Sequence, residues 1–403
     1  MPAMSTPSRA FAAIADLPWL DGPRATAWMR ILAIVSGLGV LAYVALSTSG
    51  LDPTGKPLGT DFLAFWSAAK VALTGPAAAV YDAARLAPIQ SAAFGGADVG
   101  YAPFPYPPTF LLLCLPFGLL PYLPALAAWV AATGYAYVRA VRGWLPEGRG
   151  HLVPALAFPA VVINLAHGQT AFLTTALFAG GALLLRRRDF LAGLLLGALV
   201  IKPHLGVLIP VALIASRNWR AVAGAGLSFT ALTFVSATVF GLDAWRALPA
   251  QLDAQRSIVE QGLLDPAKLQ SVFGAARLLG AGLGAAYGLQ ALTGLLAAAV
   301  VAVVAWRRPE ARGIGPVLIA ATLMSGPYLL DYDLVLAAVP LAWMLAQGQA
   351  SGFRPWEKAA LLVAYVLPLV SRITAMQAGV PIAPLALAAL LAVTARRAWS
   401  SEA

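Results

Sequence analysis

Asp61, His167, Lys202, His204, Asp331, Asp333 and Arg372 all stand at the edges of long apolar runs. Ionisable groups in such places are costly unless they face a cavity or a partner, so they are candidates for chemistry. A carboxylate within reach of a hydroxyl can act as general base, and Asp61 in GTDF is placed for that. Point-charge cations can hold a phosphate dianion. Lys202 and His204 in VIKPHLG and Arg372 in VSRITAMQ are the candidates. His167 and Gln169 in NLAHGQT, and Asp331 and Asp333 in PYLLDYDLVL, can donate or accept hydrogen bonds to a polar substrate. Each has a simpler alternative. Asp61 precedes a helix and could be its N-cap. His167 could be a satisfied turn histidine, Gln169 a helix-start residue, and Asp331 and Asp333 caps. Lys202 could break two helices and snorkel, and Arg372 could anchor to a headgroup.

The elements that hold these groups follow from composition. Of 403 residues, 60% are hydrophobic and 11% charged, with a mean hydropathy of +0.79. That is more apolar surface than a soluble domain buries, so the bilayer is the solvent and the fold is an all-α polytopic membrane protein. The net charge of +10 comes in short clusters between apolar runs, not as a stripe with interleaved aromatics, which argues against nucleic acid. The single cysteine, Cys114, excludes an internal disulfide and a cysteine metal cluster. Residues 1–26 show no cleavable leader pattern and are expected to be a cytoplasmic tail.

One membrane domain is expected over residues 27–398, with a cytoplasmic tail at 399–403. A first span over 27–48 is followed by an external loop, 49–122, carrying interfacial helices. There Phe62, Phe65, Trp66, Ala69 and Leu73 recur at helical spacing, as in a helix lying apolar face down on the membrane. FPYPPTFLLLCLPFGLLPYLP is too short to cross alone. Further spans are expected at 123–141, 151–164, 168–186, 189–201, 204–215, 220–240, 286–306, 313–330, 332–347, 357–371 and 380–398, about twelve in all, with a second large external loop at 241–285. This count puts RAVRGWLPEGR, RRRD, SRNWR, RRPEAR, FRPWEK and ARRAWSSEA on the side of the N-terminus. That side holds 18 Lys or Arg and 7 Asp or Glu, against 9 and 10 opposite. The asymmetry makes it the cytoplasmic side. All the candidate groups then share the external side, which argues against reading each as an isolated cap or anchor.

The order GTDF, FWSAAKVALTGPAAAVYD, FPYPPTFLLLCLPFGLLP, NLAHGQT, GLLLGALVIKPHLG, SGPYLLDYDLVL resembles glycosyltransferase family 87 over about residues 55–345. These are polyprenyl-phosphate-sugar-dependent transferases of the GT-C superfamily. The resemblance implies a GT-C-like bundle in a bacterial plasma membrane with the site on the external face. It implies Asp61 as general base on an acceptor hydroxyl, an inverting transfer, and Lys202, His204 and Arg372 near the donor phosphate. His167, Gln169, Asp331, Asp333 and Tyr106 would bind sugar or acceptor, and the helices at 62–74 and 107–120 would admit a polyprenyl chain. The donor would be a polyprenyl-phosphate sugar and the acceptor a lipid or glycan. Mannose is the expected sugar because the best-known members are mycobacterial mannosyltransferases acting on phosphatidylinositol mannosides.

Two features depart from the family. Asp331 and Asp333 stand where some relatives carry a histidine, and acceptor recognition is left to membrane-proximal loops. No cluster of acids resembles a divalent-metal cage, so no cofactor and no essential metal are expected. The rival class is a transporter or flippase, which would also have many helices with Gly and Pro breaks. Such proteins usually show related halves and charges near the midplane; here the charges gather at one end. The topology is testable by thiol labelling. In intact cells, an impermeant reagent should modify an Asp98→Cys variant, whereas an Arg187→Cys variant should react only after permeabilisation.

Overall fold

The computed structural model describes residues 15–146, 152–310 and 312–400. Helix accounts for 76% of it and no strand forms among the described residues, as the need to satisfy every backbone polar group inside lipid requires. Residues 1–14 of the expected N-terminal tail lie outside the described residues. So do Glu147 and Arg149 of the first basic loop and residues 401–403 of the expected C-terminal tail.

Among the described residues, five helices are long and apolar enough to cross a membrane: Gly22–Ala45, Trp219–Phe240, Leu283–Arg307, Asp331–Ser351 and Glu357–Ala378. The other expected spans are also helical but differ from bilayer-length rods. Tyr122–Val141 and Ala383–Ser400 are long enough but less apolar. The 151–164 stretch breaks into Val153–Leu156 and Pro159–His167, because Pro159 starts a new helix and cannot continue the old one. Ala171–Leu184, Asp189–Ile201, Pro203–Ala215 and Ile314–Ser325 are short apolar helices. A helix of thirteen residues extends only about 20 Å, against about 30 Å of hydrocarbon.

Packing compensates for short length. Gly193 and Gly197 face Trp219–Phe240 so closely that added Cβ atoms would lie 2.1 Å from the Ala221 carbonyl oxygen and 2.3 Å from that of Ala225. Two backbones therefore meet without side chains between them, the small-residue contact by which helices associate in lipid.

The stretch 49–122, expected to be an external loop, differs from expectation. The helix Phe62–Thr74 does not lie with one face on the membrane: Phe62, Phe65, Trp66 and Ala69 of the expected face are buried, and so are Leu63, Ala64 and Ala68 around it. Phe62, Phe65, Phe110 and Trp129 form an edge-to-face and stacked cluster with ring centroids 4.9–6.2 Å apart. The helix Pro108–Gly118 packs directly on this helix, with a Cβ at Gly118 falling 2.7 Å from that of Ala69. A buried ring cluster repeats every three or four residues just as a surface-bound face does, so the spacing alone could not distinguish them.

The second loop, 241–285, carries the helices Leu242–Glu260 and Val272–Leu278. It is fastened to the strand-like stretch before Asp331. The Gln270 N–H donates to the Leu329 carbonyl at 2.8 Å, and Ser271 Oγ donates to that of Pro327 at 2.5 Å.

Residues 58–61 dock on the turn after Pro159–His167. The Gly59 N–H donates to the Ala166 carbonyl at 3.2 Å and the Asp61 N–H to that of His167 at 3.0 Å. Aromatic donors lock both partners: the Tyr122 hydroxyl donates to the carbonyls of Leu58 and Gly59, and Trp129 Nε1 to that of Gly168. Gly168 makes the turn at φ 62°, and a Cβ there would sit 2.7 Å from Phe62 Cβ. Gly168→Ala should therefore cost about 2–4 kcal/mol through left-handed strain and overpacking, read as a lowered unfolding midpoint in detergent.

Candidate functional site

The docked turns place Asp61 first in the site. It occupies the N-cap position of Phe62–Thr74, yet its side chain makes no capping hydrogen bond. The carboxylate turns away to the 167–170 segment. Gln169 Nε2 donates to Oδ2 at 3.0 Å. Oδ1 has only longer contacts, Thr60 Oγ1 at 3.4 Å and His167 Nδ1 at 3.6 Å. Thr60 Oγ1 also lies 3.1 Å from His167 Nδ1.

Behind Gln169 stands Tyr106, whose hydroxyl donates to Gln169 Oε1 at 2.9 Å. The prolines on either side of Tyr106 set it at the start of Pro108–Gly118, and its ring packs on Phe65 and Phe110 at 5.2 and 4.7 Å. Tyr106 and Gln169 are both buried.

The other side is formed by the short turn Asp331–Ala337. Tyr332 bridges it to the rest, with its ring centroid 5.9 Å from that of His167 and 5.1 Å from Lys202 Nζ. Lys202 sits at the break between Asp189–Ile201 and Pro203–Ala215. In sequence it has no acidic neighbour, which suggested a cation free for phosphate, or one snorkelling to the interface. The fold corrects both readings, because Asp333, 131 residues away, holds Nζ at 2.5 Å and both side chains are buried. A lysine taken out of water needs such a counter-charge. Asp333 Oδ2 is buried with no hydrogen-bond partner.

Asp331 is no cap either. Its Oδ2 lies 3.6 Å from Arg372 on the helix Glu357–Ala378, and its Oδ1 accepts from the N–H of Tyr332. His204, the second residue of the short helix Pro203–Gly206, is exposed and has Lys202 and Asp333 as its charged neighbours.

The expected residues thus form one cluster from six stretches of chain. Asp61, His167, Gln169 and Tyr106 make one half, and Lys202, His204, Asp331, Asp333 and Arg372 the other. Thr60 and Tyr332 were not singled out from the sequence. Thr60 adjoins Asp61 and Tyr332 lies between two acids, and adjacency is the only signal either gives.

Exposure separates the groups. The side chains of Asp61, His167 and Arg372 are 34%, 32% and 38% exposed, against 9% for Asp331 and 1% for Asp333. Burial acts to lower the pKa of His167. The nearby Asp61 carboxylate and the charge of Asp331 outweigh it, against an opposing Arg372, and hold the imidazole above its ordinary value. The attraction to Asp61 is therefore complete below the ordinary histidine range and fades as pH rises through the raised value.

Apolar helices of bilayer length around this polar cluster define the chain as an integral membrane protein with a candidate catalytic centre. A model of glycosyltransferase family 87 matches residues 104–330, and the chain belongs to that family. It is thus a membrane glycosyltransferase by family, using a sugar donor and an acceptor. Tyr106, His167, Gln169, Lys202 and His204 lie inside the matched stretch; Asp61, Asp331, Asp333 and Arg372 lie outside it. No curated protein and no solved structure matches the chain.

The buried pair has a measurable consequence. Lys202→Met leaves Asp333 as an uncompensated buried charge and should destabilise the protein by about 3–5 kcal/mol, while Lys202→Met combined with Asp333→Leu should recover most of that loss. Thermal unfolding of the three proteins in detergent forms the double-mutant cycle.

Proposed function

We propose that the protein transfers a hexose, mannose foremost, from a polyprenyl-phosphate-linked donor to a hydroxyl of a lipid or glycan acceptor. The transfer inverts the anomeric centre and takes place at the external face of a bacterial plasma membrane, in a GT-C-like bundle of about twelve crossings with both chain ends cytoplasmic. The observation that carries this reading is the difference in exposure among the acids. Asp61 is accessible at 34%, whereas Asp331 and Asp333 are buried and engaged by Arg372 and Lys202. Asp61 is therefore the carboxylate a hydroxyl can reach.

In the proposed step the acceptor O–H proton passes to Asp61 as the oxygen attacks the anomeric carbon. The bond from that carbon to the phosphate oxygen breaks, and its electron pair stays with the phosphate, leaving the polyprenyl phosphate. Charge growing on that phosphate is stabilised by cations already in place. Arg372, with an exposed guanidinium, takes this role, and the imidazole of His204 can add an N–H donor. Lys202, expected there from sequence, instead braces Asp333 and Tyr332. His167, beside Asp61, is positioned for the sugar or acceptor hydroxyls. The reaction as written uses no metal ion.

The lipid moiety is supported by an apolar cavity of about 620 Å³ between Gly22–Ala45 and the rest of the molecule. Trp28, Phe158, Leu341, Tyr365 and Leu369 line it, and Leu369 is one helical turn from Arg372. A prenyl chain lying there would bring its phosphate toward the guanidinium.

Asp61→Asn keeps the shape and removes the base. Sugar transfer from a radiolabelled polyprenyl-phosphate sugar to membrane acceptors should fall by about 100-fold or more, with the unfolding midpoint retained. Full residual activity would remove Asp61 from the mechanism. Movement of labelled lipid across vesicles without covalent transfer would favour a transporter.

A further inference from the structure

The two oxygens of the Asp61 carboxylate are held differently. Oδ2 accepts a hydrogen bond of ordinary length from Gln169 Nε2, 3.0 Å, whereas the contacts of Oδ1 are 3.4 and 3.6 Å. Those longer contacts are at or beyond the limit of a useful hydrogen bond. Oδ1 therefore retains its full capacity to accept, whereas Oδ2 has already committed one of its two lone pairs to Gln169.

Gln169 in turn has no freedom. Its Oε1 accepts from the backbone N–H of Thr170 at 2.7 Å and from the Tyr106 hydroxyl at 2.9 Å. A backbone N–H can only donate, so the amide oxygen must face Thr170 and the NH₂ must face Asp61. The flipped amide would set NH₂ against N–H and oxygen against carboxylate. Tyr106 adds a second donor at the same oxygen, and its ring is fixed among Phe65, Phe104 and Phe110. Gln169 is 4% exposed and Tyr106 7%. Neither has a surface with which to meet a sugar, although their residue types and place in the chain suggested that role.

We infer that Tyr106 and Gln169 form a positioning relay that fixes the rotation of the Asp61 carboxylate, so that Oδ1 is the oxygen presented to the acceptor hydroxyl. They are positioning residues and touch no substrate. The inference rests on the general-base reading of Asp61. It adds which oxygen takes the proton and what holds it there. Because both side chains are buried away from any substrate, the relay acts on rate and not on binding. A carboxylate free to rotate still leaves the sugar and phosphate contacts intact, but it spends less time with Oδ1 aimed at the hydroxyl, and small misplacements at a reacting group are costly.

The test is steady-state kinetics over a range of pH with a radiolabelled polyprenyl-phosphate sugar and a membrane acceptor. The full-length wild type is compared with Gln169→Glu, Gln169→Ala, Tyr106→Phe and, separately, Asp61→Asn. Gln169→Ala should lower kcat by about tenfold to 100-fold with KM for both substrates within about threefold of wild type. The acid limb of its rate profile should move to higher pH, because a donor to the carboxylate has been lost. Gln169→Glu keeps the size and sets a second carboxylate against Oδ2, so its acid limb should move further in the same direction. Tyr106→Phe should show a smaller fall in kcat, about threefold to tenfold, because the Thr170 N–H still holds the amide. Unfolding midpoints in detergent accompany each variant. If Gln169→Ala fails to fold, the size-matched Gln169→Glu and the Tyr106→Phe variants decide the matter.

A rise in KM with kcat and pH profile unchanged would overturn the relay and make the pair substrate-binding. An unchanged rate would overturn it outright. Full activity in Asp61→Asn is a separate result that defeats the general-base reading itself, whatever the Gln169 variants do.

Discussion

The site depends on one backbone contact, the docking of residues 58–61 on the turn after Pro159–His167. Two amide-to-carbonyl bonds, Gly59 to Ala166 and Asp61 to His167, bring together stretches more than a hundred residues apart. The orientation of the Asp61 carboxylate follows from that seam. It points the carboxylate at Gln169 and His167 instead of at the first turn of its own helix. In a chain with this much apolar surface, an amide left unpaired at such a place costs about as much as a lost hydrogen bond. The seam is thus held by the same rule that makes the fold helical. Tyr122 and Trp129 reinforce it by donating to the carbonyls on either side, and the left-handed Gly168 lets the turn close against Phe62.

Beneath the accessible groups lies a second layer that bears charge without presenting it. Lys202 and Asp333 neutralise each other out of water, and Tyr332 covers the ammonium with the face of its ring. A buried pair of this kind adds little net stability compared with apolar residues of the same size. What it provides is register. The break after Ile201 must meet the turn at Asp331–Ala337 at one depth, or both charges are stranded. Arg372 and Asp331 repeat the arrangement nearer the surface, where the guanidinium stays open. The division between braced and exposed charges separates groups available for chemistry from groups that hold them. The 241–285 loop is fastened through Gln270 and Ser271 to Leu329 and Pro327, just before the turn that carries both acids.

The sequence by itself determined the class of the fold and the membership of the site. Apolar runs of bilayer length admit only helices in lipid, and the arginine distribution gives them a common sense of direction. A short list of costly ionisable groups picked out Asp61, His167, Lys202, His204, Asp331, Asp333 and Arg372, the turn beside His167 added Gln169, the family resemblance added Tyr106, and the fold gathers them into one cluster. Tertiary structure alone decided which of them are free. Lys202 has no acid within reach along the chain, and its partner is 131 residues away. Gln169 and Tyr106 read as substrate-binding types, but close packing uses up their donors and acceptors inside the protein. The Asp61 helix has the periodicity of a surface-bound face and lies buried, because periodicity records which residues share a face and not what that face meets. The physical reason is common to all three. Composition and spacing fix the cost of leaving a group unpartnered, and only the path of the chain through space supplies the partner.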